Sequence, residues 1–288
     1  MTQILNSVPI KNKITNVLKS ECLLLKEKGV LPYLKVILVG KNPASLIYTS
    51  HKKKFSETIG AKCDIIAVDE KISEKEFLNL ISDINLDPTV HGCIIQLPLP
   101  KHLSHLDVGK LVVQKKDVDG FHPENIYAIL SNQITKSNFV SCTPKGVITL
   151  LQEYQIEIAN KTVVIIGRSM IVGKPLACLF TNLDATVTLC HSKTPNIREI
   201  TKNCDILVSA IGIPNFIDAT YISNKKNQIL IDVGINSNNE GRLCGDINFD
   251  VVKDLVLAIT PVPGGVGPMT IVSLMQNLLQ ASKNQLNL

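Results

Sequence analysis

The residue of this sequence best placed to move a proton is Lys52. Asn42-Pro43 opens a helix, because asparagine caps free N–H groups and proline needs none at the first position. At about 100° per residue, Ala44, Tyr48, Lys52, Phe55 and Ile59 fall within about 40° of their common direction, so that stripe is the face expected to be buried. Lys53 and Lys54 point elsewhere, into solvent. A lysine on such a stripe has two outcomes: its stem follows the stripe while the amine reaches water, or the amine lines a cleft. In a cleft, lost hydration makes deprotonation easier, and acid-base chemistry near neutral pH becomes feasible.

Other polar groups stand where ligands gather. Gln96 closes the run Ile94-Ile95-Gln96-Leu97-Pro98-Leu99-Pro100 at the carboxyl edge of an expected parallel strand. Its amide either holds a lysine or a substrate, or bonds to local backbone. Asp117 and Asp119 lie two apart in Lys116-Asp117-Val118-Asp119-Gly120-Phe121-His122-Pro123, a turn in which one carboxylate can be spent on an Asx-turn. His102 and His105, three apart in a polar loop beside Lys101, are read as lacking an acidic or cysteine partner nearby and are expected to face solvent rather than bind a metal.

A third constellation suits a pyrophosphate. Val163 to Ile166 reads as a strand, and Gly167-Arg168-Ser169 to Gly173-Lys174-Pro175 turns into a helix, so bare N–H groups and a positive helix end meet at one point. The pattern departs from Gly-x-Gly-x-x-Gly: Ser169 replaces the second glycine and Gly173 comes one residue late. The next strand ends Cys190-His191-Ser192-Lys193-Thr194, with no carboxylate to take ribose hydroxyls. Arg168 and a hydroxyl suit a ribose phosphate instead, so the residues favour NADP over NAD. Pro261-Val262-Pro263-Gly264-Gly265-Val266-Gly267-Pro268-Met269-Thr270 combines stiff and bare backbone, which either admits a ligand or serves as a rigid linker. Tyr48-x-x-x-Lys52 matches the short-chain dehydrogenase pair, but there the pair follows the dinucleotide turn and here it precedes it.

The elements that must position these groups are α/β. Apolar runs at Leu34–Val39, Cys63–Val68 and Gly92–Gln96 alternate with helical patterns at 43–60 and 74–85, the mark of a parallel sheet covered on both faces. A first helix ends near Gly29. After Thr143-Pro144, with Thr143 as a helix cap, the pattern repeats in strands at Thr162–Ile166, Thr186–Cys190, Ile206–Ser209, Gln228–Asp232 and Val256–Ile259. That predicts a second, doubly wound unit. Lys101–Val140 is the connection, with one short helical piece, and an amphipathic helix spans roughly Met269–Lys283.

At 288 residues and 45% apolar composition, the chain is long enough for two cores and is not a disordered or fibrous type. The net charge of +5, the absence of Trp and 4% aromatic content argue against a nucleic-acid platform and fit a small anionic ligand. No run is long enough to cross a membrane, and Met1 to Lys13 lacks the order of a signal peptide. The eight cysteines are scattered and form no Cys-x-x-Cys, so reduced thiols in a cytoplasmic protein are expected, with no metal site.

Taken together, Val39-Gly40-Lys41-Asn42-Pro43-Ala44-Ser45 with Tyr48 and Lys52, Ile95-Gln96-Leu97-Pro98-Leu99-Pro100, Lys116 to Phe121, Gly167-Arg168-Ser169 to Pro175, and Pro261 to Thr270 resemble one family, in its order. It is the bifunctional methylenetetrahydrofolate dehydrogenase/methenyltetrahydrofolate cyclohydrolases. The resemblance implies a catalytic domain of residues 1–140 plus 269–288, a Rossmann-like NADP domain of 141–268, and a folate cleft between them. It implies Lys52, Gln96 and Asp119 as the catalytic set and Tyr48 and Asp119 as folate contacts. Pro261, Gly264, Gly265, Val266, Gly267 and Pro268 follow as folate-flanking residues. Gly167, Arg168, Ser169, Gly173, His191, Ser192, Thr194 and Ile235 are the implied NADP site. A homodimer and a place in one-carbon metabolism that feeds purine biosynthesis are implied too.

Two positions depart from the family's usual strings: Ser141, where proline often precedes Cys-Thr-Pro, and Tyr127, where glycine is common and a bulky ring would alter the pocket. Other readings are a dehydrogenase without the hydrolase, a non-catalytic nucleotide-binding module and a shikimate-type dehydrogenase.

Overall fold

The computed structural model describes residues 1–237 and 241–285. Its strands are β1 (Gln3–Ile4), β2 (Tyr33–Val39), β3 (Lys62–Val68), β4 (Gly92–Ile95), β5 (Thr162–Ile166), β6 (Thr186–Cys190), β7 (Ile206–Ser209), β8 (Ile229–Asp232), β9 (Asn236–Ser237), β10 (Leu243–Cys244) and β11 (Ala258–Ile259). The first long helices are α1 (Val8–Glu27), α2 (Pro43–Ile59) and α3 (Glu74–Leu86). The chain divides into two compact units. One holds Lys13–Cys142 and the chain from Ile271 onward; the other holds Met1–Asn12 and Thr143–Thr270.

The first unit is built on a three-stranded parallel sheet ordered β3-β2-β4. All but one residue of β2 is buried, as expected of a strand covered on both faces. Ile37, Val39, Cys93 and Ile95 pack there with Phe77, Ile81 and Ile84 of α3. Helix α2 starts as its sequence dictates: Asn42 accepts the N–H of Ser45 at 3.1 Å and Pro43 takes the first position. Gly60 ends it at φ 89°, a left-handed cap. Helix α3 carries a full capping box between Ser73 and Glu76.

The second unit contains a six-stranded, wholly parallel sheet in the order β1-β11-β8-β7-β5-β6. From β5 the chain goes to β6 on one side and returns to β7 on the other, which creates a switch point at the carboxyl ends of β5 and β7. β9 and β10 form a separate antiparallel ribbon.

Several boundaries differ from the sequence expectation. The first twelve residues join the second unit rather than the catalytic one, because β1 pairs with β11 (Gln3↔Ala258, Ile4↔Ile259). A two-residue strand has no periodicity to read. Thr143 is not a cap: the helix Cys142–Glu153 begins one residue earlier, and the Thr143 hydroxyl accepts that of Thr270 at 3.2 Å. The last helix, Val266–Gln285, starts three residues before Met269. The connection after Lys101 contains two short α-helices, Val108–Leu111 and Pro123–Leu130, rather than one.

Lys116 is 1% exposed and donates to the carbonyls of Ile84 at 2.8 Å and of Asp87, at the C-terminal end of α3. Those carbonyls have no partner inside the helix, and a cation there complements the helix dipole. Burial holds the Lys116 amine below the usual lysine range. Lys116→Met strands the buried Ile84 carbonyl and is expected to lower stability by about 1–3 kcal/mol, read as a drop in urea midpoint. An unchanged midpoint contradicts this role.

Candidate active site

The amine of Lys52 donates to Gln96 Oε1 at 3.0 Å. Gln96 follows β4, and its backbone N–H extends the ladder to Ile37 at 2.9 Å. Its side-chain Nε2 is tied to the Leu97 carbonyl at 2.8 Å, which leaves the amide oxygen to face the lysine. Lys52 itself is half-buried, between exposed Lys53 and the buried Phe55. The amine therefore sits at the rim of the core, held by one oriented acceptor.

The buried face of α2 is rotated from the expected stripe. Ala44 is exposed and Tyr48 half-buried, whereas Ser45, Thr49 and Ser56 are buried with Phe55 and Ile59. Small hydroxyl residues can be buried there because their groups are satisfied locally: Thr49 donates to Leu46 O at 3.1 Å and Ser56 to Lys52 O at 2.9 Å. Ser56 also lies 3.3 Å from the Met275 sulfur. Periodicity of apolar residues cannot see a face made of hydroxyls.

Asp119 is the second charged group near this amine. Burial raises its carboxyl above the ordinary carboxylate range, while the Lys52 charge draws it down. The turn that presents it is pinned from several sides. Asp117, 5% exposed, accepts His122 N at 2.6 Å and Asn125 Nδ2 at 2.8 Å, and Asn277 Nδ2 holds Val118 O at 2.9 Å. Gly120 has φ 79°, and a Cβ on it would lie 2.6 Å from Ser141 N. Asp117 is thus the carboxylate spent on pinning the turn, while Asp119 feels the Lys52 charge and bonds the Cys142 thiol. Burial pushes Asp117 up to about 7, the Asp119 charge adding to it.

Ser141 has a task that its sequence context did not reveal: it is fully buried and donates to Gly120 O at 2.9 Å. Tyr127 points elsewhere. It is 65% exposed and lines a groove of about 420 Å³ with Glu124, Ala128 and Gln133. His102 and His105 are exposed, as expected, although His105 does have an acidic partner, Glu74 at 3.2 Å.

In the second unit, Gly167 and Gly173 are glycines for want of space. A Cβ on Gly167 (φ 123°) would lie 2.3 Å from Ala210 O, and one on Gly173 would lie 2.0 Å from Gly167 O. Ser169 closes the turn with its side chain, its Oγ accepting Val172 N at 3.2 Å and Gly173 N at 3.4 Å. The hydroxyl does the tightening that a second glycine performs elsewhere. Arg168 and Ser192 are exposed, and pairing of Ile166 with Cys190 places them just past the ends of neighbouring strands. The His191 loop is internally ordered, His191 N donating to Thr194 Oγ1 at 2.9 Å.

The Pro261–Pro268 segment belongs to this second unit, not the one with Lys52. Gly264 O accepts both Ser7 N at 2.7 Å and Ser7 Oγ at 2.8 Å, and a Cβ on Gly265 would lie 2.5 Å from Pro261 O. Val266 is only 2% exposed, so its side chain packs inward. Ile235, 40% exposed, lies beside Gly267, whose added Cβ would be 3.3 Å from Ile235 Cδ1.

Two functional-looking carboxylates escaped the sequence reading altogether: Asp232, 3% exposed at the end of β8, and Asp246, fully buried. Burial and the neighbouring Asp246 charge push Asp232 up to about 7. Their only sequence signal is adjacency to glycines, at Val233-Gly234 and Gly245-Asp246. Among the described residues, no cluster of three His, Cys, Asp or Glu is placed to hold a metal, and no helix is long and apolar enough to cross a membrane.

This arrangement has close parallels. The family model for the tetrahydrofolate dehydrogenase/cyclohydrolase catalytic domain matches residues 5–119, and that for the NAD(P)-binding domain of the same enzymes matches 141–286. These linear bounds cut across the spatial units, which exchange the first residues and the last helix. A bifunctional protein FolD from Halalkalibacterium halodurans is 48% identical over 266 residues, 92% of this chain and 93% of that one. The FolD methylenetetrahydrofolate dehydrogenase/cyclohydrolase of Campylobacter jejuni superposes with a TM-score of 0.93 at 40% identity, covering 99% of both chains. The Trypanosoma brucei enzyme, solved with NADP and an inhibitor, gives a TM-score of 0.93 at 32% identity over 100% of this chain and 99% of that one.

Proposed function

The chain belongs to the tetrahydrofolate dehydrogenase/cyclohydrolase family, and from that premise we infer that it oxidises 5,10-methylenetetrahydrofolate to the 5,10-methenyl form with NADP and hydrolyses that product to 10-formyltetrahydrofolate. The observation that carries the hydrolase half is the 3.0 Å Lys52–Gln96 contact in a unit that also holds Asp119. A dehydrogenase alone has no need of an oriented amine at this place.

In the oxidation, a hydride leaves the methylene bridge and the cofactor, when bound, accepts it. What the residues do is bind and orient. Gly167, Ser169 and Gly173 shape a tight turn at a helix start whose side-chain-free backbone admits a pyrophosphate, and Arg168 and Ser192 reach a ribose phosphate, with His191, Thr194 and Ile235 as further contacts. The absence of a carboxylate after β6 fits that group, since a carboxylate there would repel it.

In the hydrolysis, water adds to the methenyl carbon and a C–N bond breaks. Lys52 takes one proton from the attacking water and passes it to the departing ring nitrogen, and the hydroxyl of the adduct releases its remaining proton to solvent as the formyl C=O forms. Gln96 fixes the amine for both transfers. Asp119 accepts N–H donors of the pterin edge and Tyr48 stacks on the folate, while the backbone of Pro261 and Gly264–Pro268 is a further folate contact. A homodimer in the cytoplasm, serving purine biosynthesis, is carried over from the family resemblance.

Cofactor choice tests the nucleotide half. Initial rates with saturating methylenetetrahydrofolate should favour NADP over NAD in kcat/KM by roughly tenfold to a hundredfold, the worth of one or two charge-assisted contacts to a phosphate. A faster reaction with NAD overturns the roles of Arg168 and Ser192.

A further inference from the structure

We propose that Asp246 is a positioning residue for the dinucleotide site, fixing the loop after β7 against the Gly167 turn. Ligands of doubly wound sheets sit at the switch point, here between the ends of β5 and β7. The loop leaving β7 forms one wall of that crevice: Ala210 N donates to Ile166 O at 2.8 Å, and the Ala210 carbonyl is the group that leaves Gly167 no room for a Cβ.

Beyond Ala210 the loop has no regular secondary structure, and one carboxylate organises it. Asp246 Oδ2 accepts Ile211 N at 2.8 Å and Ser209 Oγ at 3.1 Å. Its Oδ1 accepts Ile213 N at 3.0 Å and Asn236 Nδ2 at 2.9 Å, which ties in the segment carrying Ile235. Asp246 is itself anchored from β8: Asp232 Oδ1 accepts Asp246 N at 3.0 Å and Gly234 N at 3.0 Å, and its Oδ2 accepts Ile247 N at 2.8 Å. The two carboxylates lie so close to the opposite loops that Gly234 and Gly245 admit no side chain, a Cβ there falling 2.0 Å from Asp246 Oδ1 and 1.9 Å from Asp232 Oδ2. Ordering of the β7 loop therefore passes through a buried group that is no part of the Lys52 site. The inference rests on the NADP reading of the Gly167 turn.

The test compares Asp246→Asn and the milder Asn236→Ala with the parent protein in two assays: KM for NADP in the oxidation, and hydrolysis of methenyltetrahydrofolate without cofactor. Asp246→Asn turns an N–H donor toward backbone N–H groups, and should raise the KM for NADP by about tenfold or more. Asn236→Ala removes one of the four contacts and should raise it by a smaller factor. Hydrolysis should change by less than about twofold in Asn236→Ala, whereas general damage to the fold lowers both activities together. If Asp246→Asn does not fold, Asn236→Ala decides. An unchanged KM for NADP in the folded variants, or equal losses in the two assays, overturns the proposal. A parent protein that shows no use of NADP overturns the cofactor reading instead.

Discussion

Lys52→Met should abolish methenyltetrahydrofolate hydrolysis, by about a hundredfold or more, while leaving NADP binding largely intact. Methionine keeps the length of the stem and removes the only group of this side chain that exchanges protons. Gln96 Oε1 then loses its 3.0 Å donor, but Gln96 remains tied to the Leu97 carbonyl, so the strand end keeps its shape. A positioned acid-base group contributes on the order of 10² to 10⁴ in rate, which sets the expected loss. NADP titration controls for damage, since the nucleotide turn lies in the other unit. Unchanged hydrolysis in this variant refutes the assignment of Lys52.

Gly173→Ala has the largest effect expected on the oxidation. The added Cβ would lie 2.0 Å from the Gly167 carbonyl oxygen, 2.7 Å from its carbon and 3.1 Å from Arg168 Cα. All three are backbone, so no side chain can swing aside and the turn must open. Overpacking of this kind costs about 1–3 kcal/mol, and at the upper end that is roughly a hundredfold in affinity. The distortion falls on the turn proposed to hold the pyrophosphate. NADP affinity should fall by that factor, with cofactor-independent hydrolysis retained; full NADP affinity in Gly173→Ala would place the dinucleotide elsewhere.

What could be read from the sequence were features whose cause is local. Strands β5 and β7 fall within their apolar runs because burial on both faces leaves no polar position inside them. Asn42-Pro43 and Gly60 delimit α2 by capping chemistry alone. The proximity of Lys52 to Gln96 was implied by the family resemblance, since the residues alone left the Gln96 amide between a lysine, a substrate and local backbone. Features that depend on distant partners were hidden. β1 acquires its strand character from β11, at the far end of the chain. The buried hydroxyl face of α2 depends on helix carbonyls and on Met275, and Lys116, written as one charge in a polar turn, is drawn inside by carbonyls at the end of α3. Asp232 and Asp246 look like loop carboxylates until their reciprocal grip on each other's backbone is seen.

The most direct measurement supplies the purified protein with methylenetetrahydrofolate and NADP and follows NADPH and the methenyl product in the same cuvette. One chain that performs both reactions forms NADPH in excess of accumulated methenyltetrahydrofolate, with the difference recovered as 10-formyltetrahydrofolate above the slow uncatalysed background. Methenyltetrahydrofolate rising one for one with NADPH, and decaying only at the background rate, would contradict the account.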